Sequence, residues 1–292
     1  MPLTQRRYSM GDFVSLVITT YNRKALLQKS LESLWQNTYF PHEIIIHDDG
    51  SDVDMQRWLV DLQSQGRISR LIIEPPKHNL GTGWSADCGH KLALGKWVIK
   101  LDGDEQFSPM WLHKAVRTMD LFPEIRLLHL SQVCEIRHRD TDQEKVVYPL
   151  WDRYAIHSEE REGHKIAVAW MGPGGAFMVD QETYRRFGPW YQGLNRGFSE
   201  DMWFRARVCP MARYETGYVA SLPPPEDNAQ HWEKYQGSAW MAVIDPPVVS
   251  YHWGHARSAR KEARETLGNP LVFERGRIPY PAYKERGDWF GQ

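Results

Sequence analysis

Trp97-Val-Ile-Lys-Leu101 runs directly into Asp102-Gly103-Asp104, so an apolar stretch stops at two carboxylates. A short apolar run bounded by turn residues predicts a strand, here over Lys96–Leu101. Toward the N-terminus the pattern repeats, with strands expected at Phe13–Ile18, Glu43–His47 and Ser69–Ile73. Helices are expected between them at Lys24–Gln36, Val53–Ser64 and Trp84–Leu94, and beyond the quoted stretch at Pro109–Leu121. In the first helix Ala25, Leu26, Leu31, Leu34 and Trp35 recur at helical spacing and make one buried stripe. Alternation of strand and helix predicts an α/β fold with a mostly parallel central sheet flanked by helices on both faces. Ligands of such sheets collect beyond the carboxyl ends of the strands. Three strand exits are therefore candidates: Thr19–Arg23, His47–Ser51 and Leu101–Asp104.

At 292 residues the chain is long enough for one large α/β domain, or for one such domain plus an appendage. A net charge of −1 argues against a broad electrostatic grip on nucleic acid, though a local one stays open. Cys88, Cys134 and Cys209 are far apart and form no CxxC pair, which argues against a zinc knuckle or a disulfide framework and fits a reducing, cytoplasmic setting. No stretch approaches the roughly 20 apolar residues needed to span a bilayer, so no membrane span is expected. Thirteen Trp and thirteen Tyr have two readings, a large aromatic core or a groove where rings stack on sugars or bases.

From about Ser131 to Trp170 the alternation is lost, and an inserted hairpin or loop lying over the sheet is expected. Order resumes at Met171-Gly-Pro-Gly-Gly-Ala-Phe-Met-Val179, followed by a helix from Gln181 and another over Glu200–Val208 with Ser199 as N-cap. After the break at Leu222-Pro-Pro-Pro225 come Trp232, Trp240 and Trp253, a strand expected at Val248–Trp253, and a mildly basic tail. The expected division is a catalytic domain over 1–225 and a C-terminal extension over 226–292 that completes the active site and could reach the acceptor.

Alternate residues of an extended segment point the same way, so Asp102 and Asp104 can face one ligand, with Gly103 leaving room for a bulky charged group. Hard carboxylate oxygens suit Mg2+ or Mn2+, and such an ion offsets the charge gathering on a departing nucleotide diphosphate. In His47-Asp48-Asp49-Gly50-Ser51 the carboxylates can accept hydrogen bonds from a base or ribose; the alternative is an Asx-type turn opening the next helix.

Val17-Ile-Thr-Thr-Tyr-Asn-Arg23, Ile44-Ile-Ile-His-Asp-Asp-Gly-Ser51, Asn79-Leu-Gly81, Leu101-Asp-Gly-Asp104, Gly174-Gly175-Ala176 and Ser199-Glu200-Asp201, in this order and spacing, resemble glycosyltransferase family 2 over about residues 13 to 210. The resemblance implies a GT-A fold with a Rossmann-like nucleotide-binding half, a nucleotide-sugar donor (commonly UDP-linked), a divalent metal and inversion at the anomeric carbon. Carried over by position, Thr19 and Tyr21 flank the nucleobase, with Tyr21 stacking on it, and Arg23 contacts the nucleotide. Asp49 accepts the hydrogen bond of the uracil ring. Asp102 lies near ribose and metal, and Asp104 ligates the metal. Gly174 and Gly175 line the donor sugar, and Asp201 is the general base.

A histidine after the core completes the metal site in some enzymes of this fold. In Tyr251-His252-Trp253-Gly254-His255 the ligand expected is His252, with His255 in reserve, and Arg257 is a diphosphate contact. Membrane helices and a QxxRW motif, which mark the processive members, are lacking in this sequence, so transfer of a single sugar is expected. The competing readings are a nucleotidyltransferase, whose glycine-rich N-terminal loop has no counterpart at Thr19–Arg23, and a non-catalytic nucleotide-sugar binder. A glycan or glycan precursor is the expected acceptor, with a modified base in DNA as the alternative.

Overall fold

The computed structural model describes residues 13–130, 155–169, 175–189 and 240–245, with short pieces at 135–136, 146–147, 204–205, 208–209, 237 and 248–250. In chain order the elements are β1 (Val14–Thr20), α1 (Lys24–Asn37), β2 (His42–Asp48), α2 (Val53–Ser64), β3 (Arg70–Ile73), α3 (Thr82–Leu92), β4 (Trp97–Asp102), β5 (Gln106–Phe107), α4 (Trp111–Leu121), β6 (Ile125–His129), β7 (Glu135–Ile136) and β8 (Val146–Val147). They continue with β9 (Ala155–Arg161), β10 (His164–Ala169), β11 (Ala176–Asp180), α5 (Gln181–Phe187), β12 (Trp240–Asp245) and β13 (Val249–Ser250). The main sheet runs β3-β2-β1-β4-β11-β6-β12-β10-β9. Its first four strands are parallel, as the alternating pattern predicts.

Every residue of β1 is buried, which is what a strand covered on both faces requires. Leu16 and Ile18 of β1, Ile44 and Ile46 of β2, and Ile99 and Leu101 of β4 fill the larger core. Val17, Ile45 and Val98, one residue out of phase, meet Ala93 in a second, smaller cluster. The period of two splits each strand between the two faces. The smaller cluster lies under α3, and the approach is close: a Cβ on Gly89 would stand 2.3 Å from Cγ1 of Val17. Below it, buried Glu43 binds three segments together. Ser15 Oγ donates to its Oε1 at 2.6 Å, Leu94 N–H donates to the same oxygen at 2.8 Å, and Arg70 lies 3.6 Å from Oε2.

The far half of the sheet adds two features. The segment expected to lie over the sheet instead extends it: β9 and β10 form an antiparallel hairpin at its edge. Arg161 fastens this hairpin to the α4–β6 connection by paired contacts to Glu124 at 3.0 Å. Second, Trp240-Met-Ala-Val-Ile244 is a strand between β6 and β10, so residues on both sides of position 225 share one sheet. Trp240 is 5% exposed and belongs to the core, the first of the two readings of the aromatic content. Trp232 and Trp253 lie outside the described residues. Among the described residues no helix is long and apolar enough to cross a membrane.

The contact of Gly89 with Val17 gives a stability prediction. Gly89→Ala should destabilise the fold by about 1–3 kcal/mol, because the β-branched Val17 has little freedom to give way. Combined with Val17→Ala, the loss should be smaller than the sum of the two single losses in denaturant titrations.

Candidate active site

The parallel register brings the three strand exits side by side. Thr19 of β1 is paired with His47 of β2 on one side and Asp102 of β4 on the other. Asp49 N–H donates to the carbonyl of Thr20 at 2.9 Å, and Asp102 N–H donates to the carbonyl of Gly175 at 3.0 Å. Antiparallel β11 thus delivers Gly175 beside Asp102. Gly103 sits close to both: a Cβ there would be 3.5 Å from the carbonyl oxygen of Thr19 and 3.7 Å from Oγ1 of Thr20. Thr19, Asp49, Asp102, Gly103 and Gly175 share one edge of the sheet.

The connection after β1 is held by side-chain hydrogen bonds. Asn22 N–H donates to Ser51 Oγ at 2.7 Å, and Asp52 N–H donates to Asn22 Oδ1 at 3.1 Å. Ser51 in turn donates to Asp48 through both its hydroxyl and, at 3.1 Å, its backbone N–H. Asp48 thus realises the turn-forming alternative, and Asp52 caps α2 by accepting from Met55 N–H at 2.8 Å. Asp49 does something else: Oδ1 accepts from Leu80 N–H at 2.8 Å and Oδ2 from Gly81 N–H at 2.7 Å. It fastens the loop entering α3, and a carboxylate with about four acceptor positions retains capacity for a ligand donor. Burial pushes the Asp49 carboxyl up to about 6, against the opposing pull of those two N–H groups. Tyr21, expected to stack on the base, is half-buried in the first loop.

Asp102 and Asp104 are not presented by an extended segment. β4 ends at Asp102, and Gly103-Asp104 is a turn. Each carboxylate faces a cation. Lys100 Nζ contacts Asp102 Oδ1, and Arg23 Nη1 lies 3.4 Å from Asp104 Oδ2. Arg23, expected at the nucleotide, is thus paired with the expected metal ligand. Its side chain is 33% exposed, whereas that of Asp104 is 5% exposed. Among the described residues no three His, Cys, Asp or Glu side chains gather as a metal centre. Two carboxylates that both attract cations fit a hard divalent ion in kind, with further ligands to come from elsewhere.

Lys100 was not singled out from the sequence, although its signal was present. A lysine inside the run Trp97-Val-Ile-Lys-Leu101 must find a partner when that strand is buried. Its side chain is 3% exposed and lies two residues before Asp102, hence on the same face of β4. That face is covered by α3, where burial brings the His90 imidazole down to about 4 and the Lys100 charge adds to the depression. His90 lies against Tyr184 with ring centroids 4.3 Å apart, and the Tyr184 hydroxyl donates to Asp87 Oδ1 at 2.6 Å. A buried polar layer thus backs the Asp102 corner.

Five expected site residues, Gly174, Asp201, His252, His255 and Arg257, lie outside the described residues. Their neighbours are informative. Phe204 and Arg205 are helical, as expected for 200–208, and the Phe204 ring lies 6.2 Å from that of Tyr184. β13 pairs with β5, Ser250 opposite Gln106 and Val249 opposite Phe107.

Comparison with known proteins agrees with this geometry. Residues 15–126 match the family model for glycosyl transferase family 2. The chain is 30% identical over 123 residues to an "Uncharacterized glycosyltransferase" of Haemophilus influenzae, covering 42% of this chain and 40% of that protein. It is 29% identical over 109 residues to the UDP-Glc:alpha-D-GlcNAc-diphosphoundecaprenol beta-1,3-glucosyltransferase WfaP of Escherichia coli, covering 37% and 42%. It therefore spans less than half the length of these curated relatives. Among solved structures, S. aureus TarS 1-349 in complex with UDP superposes with a TM-score of 0.54 at 14% identity, over 89% of this chain and 65% of that one. GalNAc-T7 with UDP, GalNAc and Mn2+ gives 0.53 at 16%, over 82% and 43%. These likenesses establish the fold. Three motif-bearing strand ends thus meet at one edge, the match to the glycosyl transferase family 2 model runs from β1 into β6, and the fold is the GT-A fold of these solved structures.

Proposed function

We propose that the chain is an inverting, metal-dependent glycosyltransferase that moves one sugar from a nucleotide-diphosphate sugar, UDP-linked, to an acceptor hydroxyl of a glycan or glycan precursor. The observation that carries this reading is the side-by-side placement of Thr19, Asp49, Asp102 and Gly175 at the carboxyl edge of the sheet, with Asp104 in the turn beyond. The relatives support the substrate class: WfaP is named for a UDP-Glc donor and a lipid-diphosphate sugar acceptor, and TarS and GalNAc-T7 are solved with UDP.

In this reading Tyr21 and Thr19 flank the base, and Asp49 accepts from its ring N–H. Asp102 and Asp104 would hold Mn2+ or Mg2+, as the Mn2+ in the GalNAc-T7 structure suggests by analogy. That ion supplies charge neutralisation on the leaving diphosphate. His252 is the proposed third ligand. Support comes from β13: its last residue, two before His252, is paired with Gln106, two after Asp104. Arg257 contacts the diphosphate. The acceptor hydroxyl attacks the anomeric carbon opposite the diphosphate, the C–O bond to the diphosphate breaks, and Asp201 takes the hydroxyl proton. Placed at the first turn of the expected helix, Asp201 stays ionised because the positive helix end favours an anion.

Three tests follow. Asp201→Asn should lower kcat about 10²–10⁴-fold, read as UDP released with a glycan acceptor, while UDP binding stays at the wild-type level. Turnover equal to wild type removes Asp201 as the base.

Gly103→Ala should fold normally, since the added Cβ meets nothing closer than 3.4 Å. It should nonetheless raise the donor KM, because the added methyl group stiffens the turn that carries Asp102 and Asp104.

For Asp49 the acid form predominates below about 6, where it can no longer accept from the base N–H with both oxygens charged. Donor KM should fall as pH rises through about 6 and then level off, and Asp49→Asn should flatten that profile. Stability moves the other way. The folded chain holds the proton more tightly than the ordinary value of 3.8, so this group's contribution to stability declines between 3.8 and about 6 and is constant above.

A further inference from the structure

The two cations at the carboxylate turn differ in a way that has a functional consequence. Lys100 is enclosed, with 3% of its side chain exposed, and cannot leave Asp102 without opening the sheet–α3 interface. Arg23 is 33% exposed and projects from the start of α1. Its backbone is pinned: it adopts φ 59°, ψ 35°, and its carbonyl accepts from Leu26 N–H at 2.9 Å and Leu27 N–H at 3.1 Å. Only the side chain is free to swing, and one end of that swing is the buried Asp104 carboxylate.

We propose that Arg23 is an exchangeable counter-ion: its guanidinium neutralises Asp104 in the metal-free site and yields that carboxylate to the divalent ion, becoming available to the donor diphosphate. The inference rests on the metal-dependent reading above. A buried carboxylate needs a compensating charge, and a divalent ion at the same oxygens outcompetes a monovalent one. A planar guanidinium released beside a diphosphate matches its oxygens in a bidentate fork, which a lysine cannot do. Arg23 thus competes with the metal before binding and assists the donor after it, so its removal should have effects of opposite sign on the two ligands.

The test is a Mn2+ titration of the full chain without donor, following free Mn2+ by its electron paramagnetic resonance signal, with UDP binding then measured at saturating Mn2+. Arg23→Gln should bind Mn2+ about tenfold more tightly than wild type, the worth of one charge-assisted hydrogen bond, and bind UDP more weakly. Arg23→Lys should return Mn2+ affinity toward wild type without restoring UDP affinity. Unchanged or weaker Mn2+ binding by Arg23→Gln overturns the exchange. Asp104→Asn tests the underlying reading separately: it should lose Mn2+ binding, and if it binds Mn2+ as wild type does, the metal assignment falls and the exchange with it. Melting curves of all variants without metal confirm that each is folded.

Discussion

The constraint on which the rest of the structure depends is the parallel register of β2, β1 and β4. The register sets Thr19 between His47 and Asp102, so the polar residues that follow these three strands are delivered to one edge. Thr19 next to Asp102, and Asp49 hydrogen-bonded to Thr20, follow from that alignment and need no special arrangement of the loops. The apolar rows below the edge, with Val17, Ile45 and Val98 on one face and Leu16, Ile46 and Ile99 on the other, fix it, because a slip by one residue would exchange the two faces of a strand.

Above this frame the electrostatics are graded by depth. Lys100 is enclosed and bound to Asp102, Asp104 is enclosed and bound to a half-accessible Arg23, and Asp49 is enclosed and bound to two backbone N–H groups. Each acid has its own partner, two of them cations and one a pair of backbone N–H groups. Asp49 retains acceptor positions beyond its two N–H partners, while Asp104 is already paired with a cation. The polar layer of His90, Tyr184 and Asp87 behind β4 is enclosed and keeps the Lys100 side of this arrangement in place.

Much of the N-terminal half was legible in the sequence because its signals are local. α2 and α5 begin at Val53 and Gln181, the residues expected, since Asp52 and Asp180 cap them by accepting from Met55 N–H and Thr183 N–H. α3 and α4 have no side-chain cap, and their starts at Thr82 and Trp111 each differ by two residues from the pattern-based expectation. The motif residues of β1, β2 and β4 were readable for the same reason as the strands: polar residues stand out at the end of an apolar run. What was not legible depends on partners distant in sequence. Trp240 stood between a core and a stacking reading until its strand was found between β6 and β10. The turn at Gly103-Asp104 replaced an extended segment, and the counter-ions of the acids, Lys100 and Arg23, were settled by packing rather than by spacing.

The position of β12 has a consequence for how the molecule is made. The β3-β2-β1-β4 half and its helices can assemble as soon as residue 102 or so has left the ribosome, since these strands pair with one another and only the outer side of β4 waits for β11. β6 cannot be completed so early, because its parallel neighbour begins at Trp240, about 110 residues after His129. During that interval of synthesis one side of an apolar strand has no neighbour to pair with, and it is there that a nascent chain of this protein is most exposed to misassociation and most in need of chaperone cover.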